Sequence, residues 1–176
     1  MNSEFTKKIK EAFRGQSEMA LPGIEKIVVN VGVGRLSQQP HFEEKILPEI
    51  MKQLSLITGQ HPARTLAKKS IAGFKIRAGQ IVGLKVSLRR GRMMDFLQRL
   101  IKMTIPRLRD FRGIELKSID EDGNLNIGFK DYLVFPEVNP EEAKVDFGLE
   151  VSIVSEAKNR DEAITLYRTL GIPLKK

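Results

Sequence analysis

Eight residues near the middle of the chain constrain the fold most. Val82, Leu84, Val86 and Leu88 alternate with Gly83, Lys85, Ser87 and Arg89. Alternation with period two places the aliphatic set on one face of a β-strand and the polar set on the other. The strand therefore belongs to a sheet with one covered face and one open face. Lys85, Ser87 and Arg89 would stand at intervals of roughly 6–7 Å along the open face, close to the phosphate repeat of a nucleic-acid strand.

The charge around this strand has one sign. Between Ile50 and Met94 there is no Asp or Glu, while ten Lys and Arg fall in the same window. Residues 50–113 hold 15 basic and 2 acidic side chains, a local charge of +13, whereas residues 114–176 carry −5. A solvated surface normally mixes both signs, and a one-sign stretch repels itself unless an anion neutralises it. The pattern points to a polyanionic partner, nucleic acid above all. Phe74 is the one aromatic within residues 50–94. Base-stacking platforms need several, so backbone and groove recognition of structured RNA is the expected mode.

At 176 residues the chain reads as one domain, 1–176, with enough length to bury a core. It has no Cys, which excludes disulfides and thiolate chemistry and suits a reducing compartment. No apolar run approaches the roughly 20 residues needed to cross a bilayer, and Lys7, Lys8 and Lys10 interrupt the N-terminal apolar residues. The expectation is a cytoplasmic chain with no membrane association.

Other elements follow from spacing. Phe5, Ile9 and Phe13 mark a short helix that Gly15 can end. Residues 23–31 read as a β-branched strand. Helical spacing runs from Phe42 to Ile57, with Gly59 as the stop and a firm start near Pro48, since proline is tolerated in a first turn. Residues 62–67 suggest a short strand and 68–81 a basic loop. Met93 to Ile101 suggests a helix ended near Pro106. Leu125, Ile127 and Phe129 alternate after an Asp122-Gly123 turn, and Phe147 to Ile153 alternate again. The last helix opens at Asn159 with Glu162 three residues on, a capping-box pattern, and closes at Gly171 and Pro173. The order α-β-α-β-β-α-β-β-α predicts an α+β fold: an antiparallel sheet with helices mainly on one face, a two-layer sandwich.

Motifs for catalysis are sparse. Val31-Gly-Val-Gly34-Arg-Leu36 follows a strand like the first half of a dinucleotide fingerprint, but Ser37 replaces the third glycine and Pro40 follows. A strand-exit loop, or a bare backbone packed against RNA, remain the other readings. His41 and His61 have no partner at metal-ligand spacing. The clusters Asp120-Glu-Asp122, Glu137 and Glu141-Glu142 fit solvated turns. There is no nucleophile elbow and no Walker motif. No enzyme, no cofactor and no metal are expected.

Five blocks resemble one family. Leu54-Ser-Leu-Ile57-Thr-Gly-Gln60-His-Pro-Ala-Arg-Thr65-Leu-Ala-Lys68-Lys-Ser70 is similar to the signature of the large-subunit ribosomal protein L5 family, the 5S ribosomal RNA binders. Lys85-Val-Ser-Leu-Arg89 with Arg92-Met93, Ile105 to Gly113, Val134 to Glu137 and Leu170 to Pro173 continue the resemblance in order. It implies an α+β sandwich and a structural role in translation on the ribosome, in the central protuberance. It implies 5S rRNA contacts through Asn30, Gln60, Thr65, Lys68, Lys85, Ser87 and Arg89. It implies that the loop Ser70–Gln80, with Lys75 and Arg77, approaches P-site tRNA. Large-subunit rRNA, other 5S-binding proteins and a small-subunit head protein across the inter-subunit bridge are the further implied partners. Three positions depart from the pattern: Arg90 stands before Gly91 where glycine usually follows the strand arginine, Leu125 replaces an aromatic, and Asp131-Tyr132 replaces a Glu-Gln pair. A free-standing RNA chaperone or translation regulator is the alternative from another class, and a phosphate-ligand enzyme using Gly32–Gly34 is a third. The loop is expected to be mobile without RNA, unless Ile71, Phe74 and Ile76 fold it back onto the core.

Overall fold

The computed structural model describes residues 3–13, 20–109 and 111–175, with backbone alone for residues 3–6 and 142. The expected stop at Gly15 and the Phe5 side chain lie outside the described residues. Along the chain run α1 (Ser3–Ala12), β1 (Ile24–Gly32), α2 (Leu47–Thr58), β2 (Ala63–Leu66) and β3 (Ile81–Leu88). Then come α3 (Arg90–Arg99), β4 (Leu125–Phe129), β5 (Leu149–Ser155) and α4 (Arg160–Thr169). The order matches the sequence expectation, and the fold is α+β. The strands form one antiparallel sheet in the order β2-β3-β1-β5-β4.

The strands show why they form. In β5, Leu149, Val151, Ile153 and Ser155 are buried while Glu150 between them is exposed. In β3, Leu84, Val86 and Leu88 are buried and Lys85 is exposed. Each strand gains its stability from one apolar face, at about 25 cal/mol per Å² removed from water.

The helices are set by their ends. Gly59 closes α2 with φ 66°, a left-handed conformation that glycine adopts at no steric cost, and its N–H donates to Ser55 O at 2.8 Å. Upstream, residues Phe42–Ile46 form a π turn in which Leu47 N–H reaches Phe42 O. Pro48 has no N–H to give the preceding turn, so the α-helix starts only at Leu47. Helix α3 shows the same effect at its other end. It stops at Arg99, continues as a π turn over Leu100–Thr104, and tightens to a 3-10 turn at Ile105–Arg107 containing Pro106. At α4 the capping box is only half made. Asn159 makes no side-chain cap bond, while Glu162 accepts from Lys158 N–H at 2.7 Å, one residue earlier than the pattern predicts.

By contacts the chain gathers into two compact units. The first comprises Met1–Val28, Leu88–Ile127 and Val151–Lys176. Its core includes Ile27, Phe96, Leu97, Leu100, Ile153 and Tyr167. Leu125, the aliphatic where the family pattern has an aromatic, is fully buried there. The second comprises Val29–Ser87 and Gly128–Glu150. Its core includes Val31, Ile50, Leu54, Leu84 and Val86. Tyr132 stacks on Phe147 with ring centroids 4.0 Å apart and planes at 8°, so the departure at Asp131-Tyr132 delivers an aromatic to this core.

Candidate nucleic-acid interface

Strand register decides which side chains share a face. In the antiparallel β2–β3 pair, Ala63 lies opposite Lys85, Arg64 opposite Leu84, and Thr65 opposite Gly83. Directly opposed residues project to the same side of a sheet. Thr65 and Lys85 therefore stand on the open face. Arg64 goes with Leu84 to the covered side, where it lines a groove with Lys52, Ser55 and His61. The one-sign window is thus split between two faces, which no count of charges reveals.

Gln60 donates its Nε2 to the backbone O of Ser87 at 3.3 Å. This fixes the Gln60 amide beside the strand. Thr58 Oγ1 donates to Leu54 O at 2.7 Å and accepts from Gln60 N–H at 3.3 Å, tying the turn after α2 to the helix end. Asn30, Gly32, Thr65, Gly83, Gly148 and Glu150 line an open groove of about 530 Å³ over the strands of the second unit. Gly83 eases the close approach there: a Cβ would lie 3.3 Å from Val31 O, tighter than an ordinary contact, and 3.7 Å from Thr65 Cβ. Alternation alone marks Gly83 as one polar-face residue among others; the close strand-to-strand approach appears only with the pairing of β1, β2 and β3.

The structure thus gathers Asn30 and Thr65 in one groove, while Gln60 bonds the Ser87 backbone and neither of these two lines that groove. Lys85 stands opposite Ala63, two residues from Thr65 along β2. Lys68 is exposed beyond the end of β2, outside the set of residues that line the groove. Arg89 belongs to the first unit. It sits one residue past β3 as the N-cap of α3, exposed, with extended backbone at φ −138° and ψ 159°. The next residue explains the departure noted in the sequence. Arg90 has φ 54°, a conformation that glycine holds without strain and arginine holds at a cost of order 1 kcal/mol.

The cations are uncompensated. Apart from Arg92, those of the 50–94 window have no ion-pair partner among the described residues. The first unit offers the contrast. There Glu115 pairs with both Lys117 and Lys175, and the two ammonium groups hold its carboxyl below the usual carboxylate range.

The loop Ser70–Gln80 is a small hairpin of its own. Ile71 and Ile76 pair across it, and a 3-10 turn spans Ala72–Phe74. Lys75 turns it with φ 53°, and Lys75 and Arg77 are both exposed. Ile71 and Phe74 remain 48% and 69% exposed, so these two do not fold back onto the core. The Gly32–Gly34 segment lies at the exit of β1 and leads to a 3-10 turn at Leu36–Gln38, not to a phosphate-binding helix. Among the described residues no group of His, Asp and Glu could hold a metal, and no helix is long and apolar enough to cross a membrane.

Two family models match the chain in tandem. Residues 17–77 match "Ribosomal protein L5", and residues 81–174 match the model for the C-terminus of the same ribosomal family. The chain belongs to the ribosomal protein L5 family. Among similar proteins, the "Large ribosomal subunit protein uL5" of Halothermothrix orenii is 43% identical over 170 residues, 97% of this chain and 93% of that protein. The protein of the same name from Lacticaseibacillus casei is 44% identical over 180 residues, 100% of this chain and 98% of that protein. That of Malacoplasma penetrans is 44% identical over 173 residues, 98% and 90%. An L5-family chain is a structural constituent of the ribosome that binds RNA, and not an enzyme.

Proposed function

We propose that this chain is a structural component of the large ribosomal subunit that binds 5S rRNA in the central protuberance and contacts P-site tRNA through the loop Ser70–Gln80. The whole chain, 1–176, acts as one RNA-binding domain in the cytoplasm. One observation carries the reading: an open sheet face with the Thr65 hydroxyl and the Lys85 ammonium in strand register, both from a stretch of sequence with no carboxylate, beside a groove in which Glu150 is the one acid among the described residues. Ammonium and guanidinium groups neutralise phosphates and release their counterions, while Asn30, Gln60, Thr65 and Ser87 supply hydrogen bonds that fix register on the RNA. Lys68 and Lys85 contribute charge from the second unit, and Arg89 contributes charge from the first. Large-subunit rRNA, neighbouring 5S-binding proteins and a small-subunit head protein complete the set of partners that the family resemblance supports.

The test is competition binding. Affinity for 5S rRNA should survive excess transfer RNA, and log affinity should fall against log salt with a slope of roughly −3 to −5, the value for about five phosphate contacts. Arg89→Ala should weaken binding by about 1–3 kcal/mol with melting nearly unchanged. Equal affinity for random RNA of the same length would replace this reading with the RNA chaperone or regulator.

A further inference from the structure

Two side-chain hydrogen bonds, among the described residues, join the loop Ser70–Gln80 to the segment after β1 in the second unit. Gln38 Nε2 donates to Phe74 O at 2.9 Å, and Gln80 Nε2 donates to Ser37 Oγ at 2.9 Å. The other atom of the Gln80 amide, Oε1, accepts from Arg77 N–H at 3.0 Å. Ser37 is itself held, with its N–H on Val33 O at 2.8 Å and its hydroxyl on Gly34 O at 2.9 Å. The remaining bonds lie within the hairpin or hold its base. Ile71 and Ile76 exchange two backbone bonds and Ala78 N–H donates to Ser70 Oγ, while Gly79 N–H donates to Ala67 O at 2.9 Å and Ala67 N–H to Gln80 O at 2.8 Å, just past β2. Bonds within the hairpin give it its shape, and the Ala67 pair fixes its base. Neither ties the tip that carries Lys75 to the rest of the unit. Burial does not hold the tip either, because Ile71 and Phe74 are exposed.

The two glutamines grip chosen points. Phe74 O immediately precedes Lys75, and the N–H that Gln80 holds is that of Arg77 itself. Each loop cation therefore has its backbone anchored, directly or one residue away, by a neutral amide. Neutral anchors leave both cationic heads free for an anion, which a carboxylate anchor would not.

We propose that Ser37, Gln38 and Gln80 form a bracket that aims the loop, and that the glycine-containing Gly32–Ser37 segment serves as the fixed base of that bracket. These are positioning residues for Lys75 and Arg77. The proposal rests on the reading in which the loop meets P-site tRNA. It assigns a role to a glycine motif that holds no dinucleotide, and it makes loop direction the property that matters for the contact.

The experiment compares three full-length variants: Gln38→Ala/Gln80→Ala, Lys75→Ala/Arg77→Ala, and all four changes together. In the free protein, amide exchange across residues 71–78 should speed up by about tenfold or more in the glutamine variant, with exchange in β3 and the melting temperature unchanged. Unchanged loop exchange would overturn the bracket whatever the tRNA result. On ribosomes reconstituted with each variant, P-site tRNA should dissociate faster in both double variants. The quadruple variant should be no worse than the cation variant, because groups that act through one another are not additive. Faster loop exchange with tRNA retention lost only in the cation variant, or a quadruple variant showing the sum of both losses, would also overturn positioning. If the cation variant itself retains tRNA normally, the tRNA reading fails instead, and the free-protein exchange still decides whether the bracket holds the loop. Affinity for 5S rRNA should stay within about twofold throughout, since distant sites act independently.

Discussion

Two strand-connecting turns in this molecule use the same device for opposite ends. In the first unit the turn 120–124 leads into β4, and Gly123 takes φ 82°. In the second unit the loop after β2 leads into β3, and Gly79 takes φ 83°. Around Gly123 the polar groups turn inward. Its carbonyl accepts from Tyr167 OH at 2.7 Å and from Ser155 Oγ at 2.9 Å, and all three residues are buried. Asp120 closes the turn with bonds to Asn124 N at 2.7 Å and Nδ2 at 3.0 Å. Around Gly79 the polar groups turn outward: its N–H donates to Ala67 O at 2.9 Å, and the exposed Gln38 and half-buried Gln80 amides hold the hairpin beyond it. A buried, doubly satisfied carbonyl locks a turn into the fold. An exposed hairpin on neutral anchors presents its side chains to a partner.

The largest expected effect separates the two glycines. A Cβ at Gly123 would sit 3.0 Å from Ala163 Cβ and 3.1 Å from Ser155 Oγ, while one at Gly79 meets nothing within 4 Å. Gly123→Ala should cost about 2–4 kcal/mol, left-handed strain plus overpacking. Gly79→Ala should cost only the strain, about 1 kcal/mol. Equal losses in denaturant melts would erase the comparison.

Next comes the Tyr167 hydroxyl. Tyr167→Phe leaves the Gly123 and Ile153 carbonyls with one donor fewer each, and should cost about 1–3 kcal/mol. Burial pushes the Tyr167 phenol up to about 12. A folded-state value above the unfolded one, near 10, means the contribution is complete below pH 10 and lost as pH rises towards 12. Melts of the parent should show that decline, and melts of Tyr167→Phe should lack the part due to this group. A parallel decline in both would refute the assignment.

The smallest effect belongs to the loop. Lys75→Ala/Arg77→Ala should shift stability by less than about 0.5 kcal/mol, because both side chains are solvated and, among the described residues, without ion pairs. A larger loss would mean that the loop is part of the core after all.

Much of this was legible in the sequence, for a physical reason. Alternation along Leu84–Leu88 and Leu149–Ser155 is the direct trace of one covered face. It fails at the start of β3, where Ile81 is buried and Val82 half-buried beside the register shift at Thr65/Leu66. Gly59 and Gly171 mark helix ends because each needs positive φ. The L5 resemblance rested on ordered blocks and stands. What stayed hidden depends on pairing between distant residues. Arg64 and Thr65 alternate as any strand neighbours do, yet only the register with β3 tells which of them shares the face of Lys85. Gln38 meets Phe74 across 36 positions, and an amide has no periodicity to betray its partner. Arg90 looked like a local departure, and its φ of 54° shows that the backbone keeps the turn that glycine usually makes. The alternation also extended to Arg89, but the strand ends at Leu88 and Arg89 caps α3.

The two faces of β3 divide the labour proposed for this chain, the open one for binding RNA and the covered one for folding. The most direct test is the affinity of Lys85→Glu for 5S rRNA, read beside its melting curve. Lys85 is exposed and its strand neighbours Leu84 and Val86 are buried. The variant should bind at least about tenfold more weakly, with a shallower salt dependence and a melting temperature within about 2 °C of the parent. Undiminished affinity, or a collapsed melting curve with affinity lost only through unfolding, would contradict it.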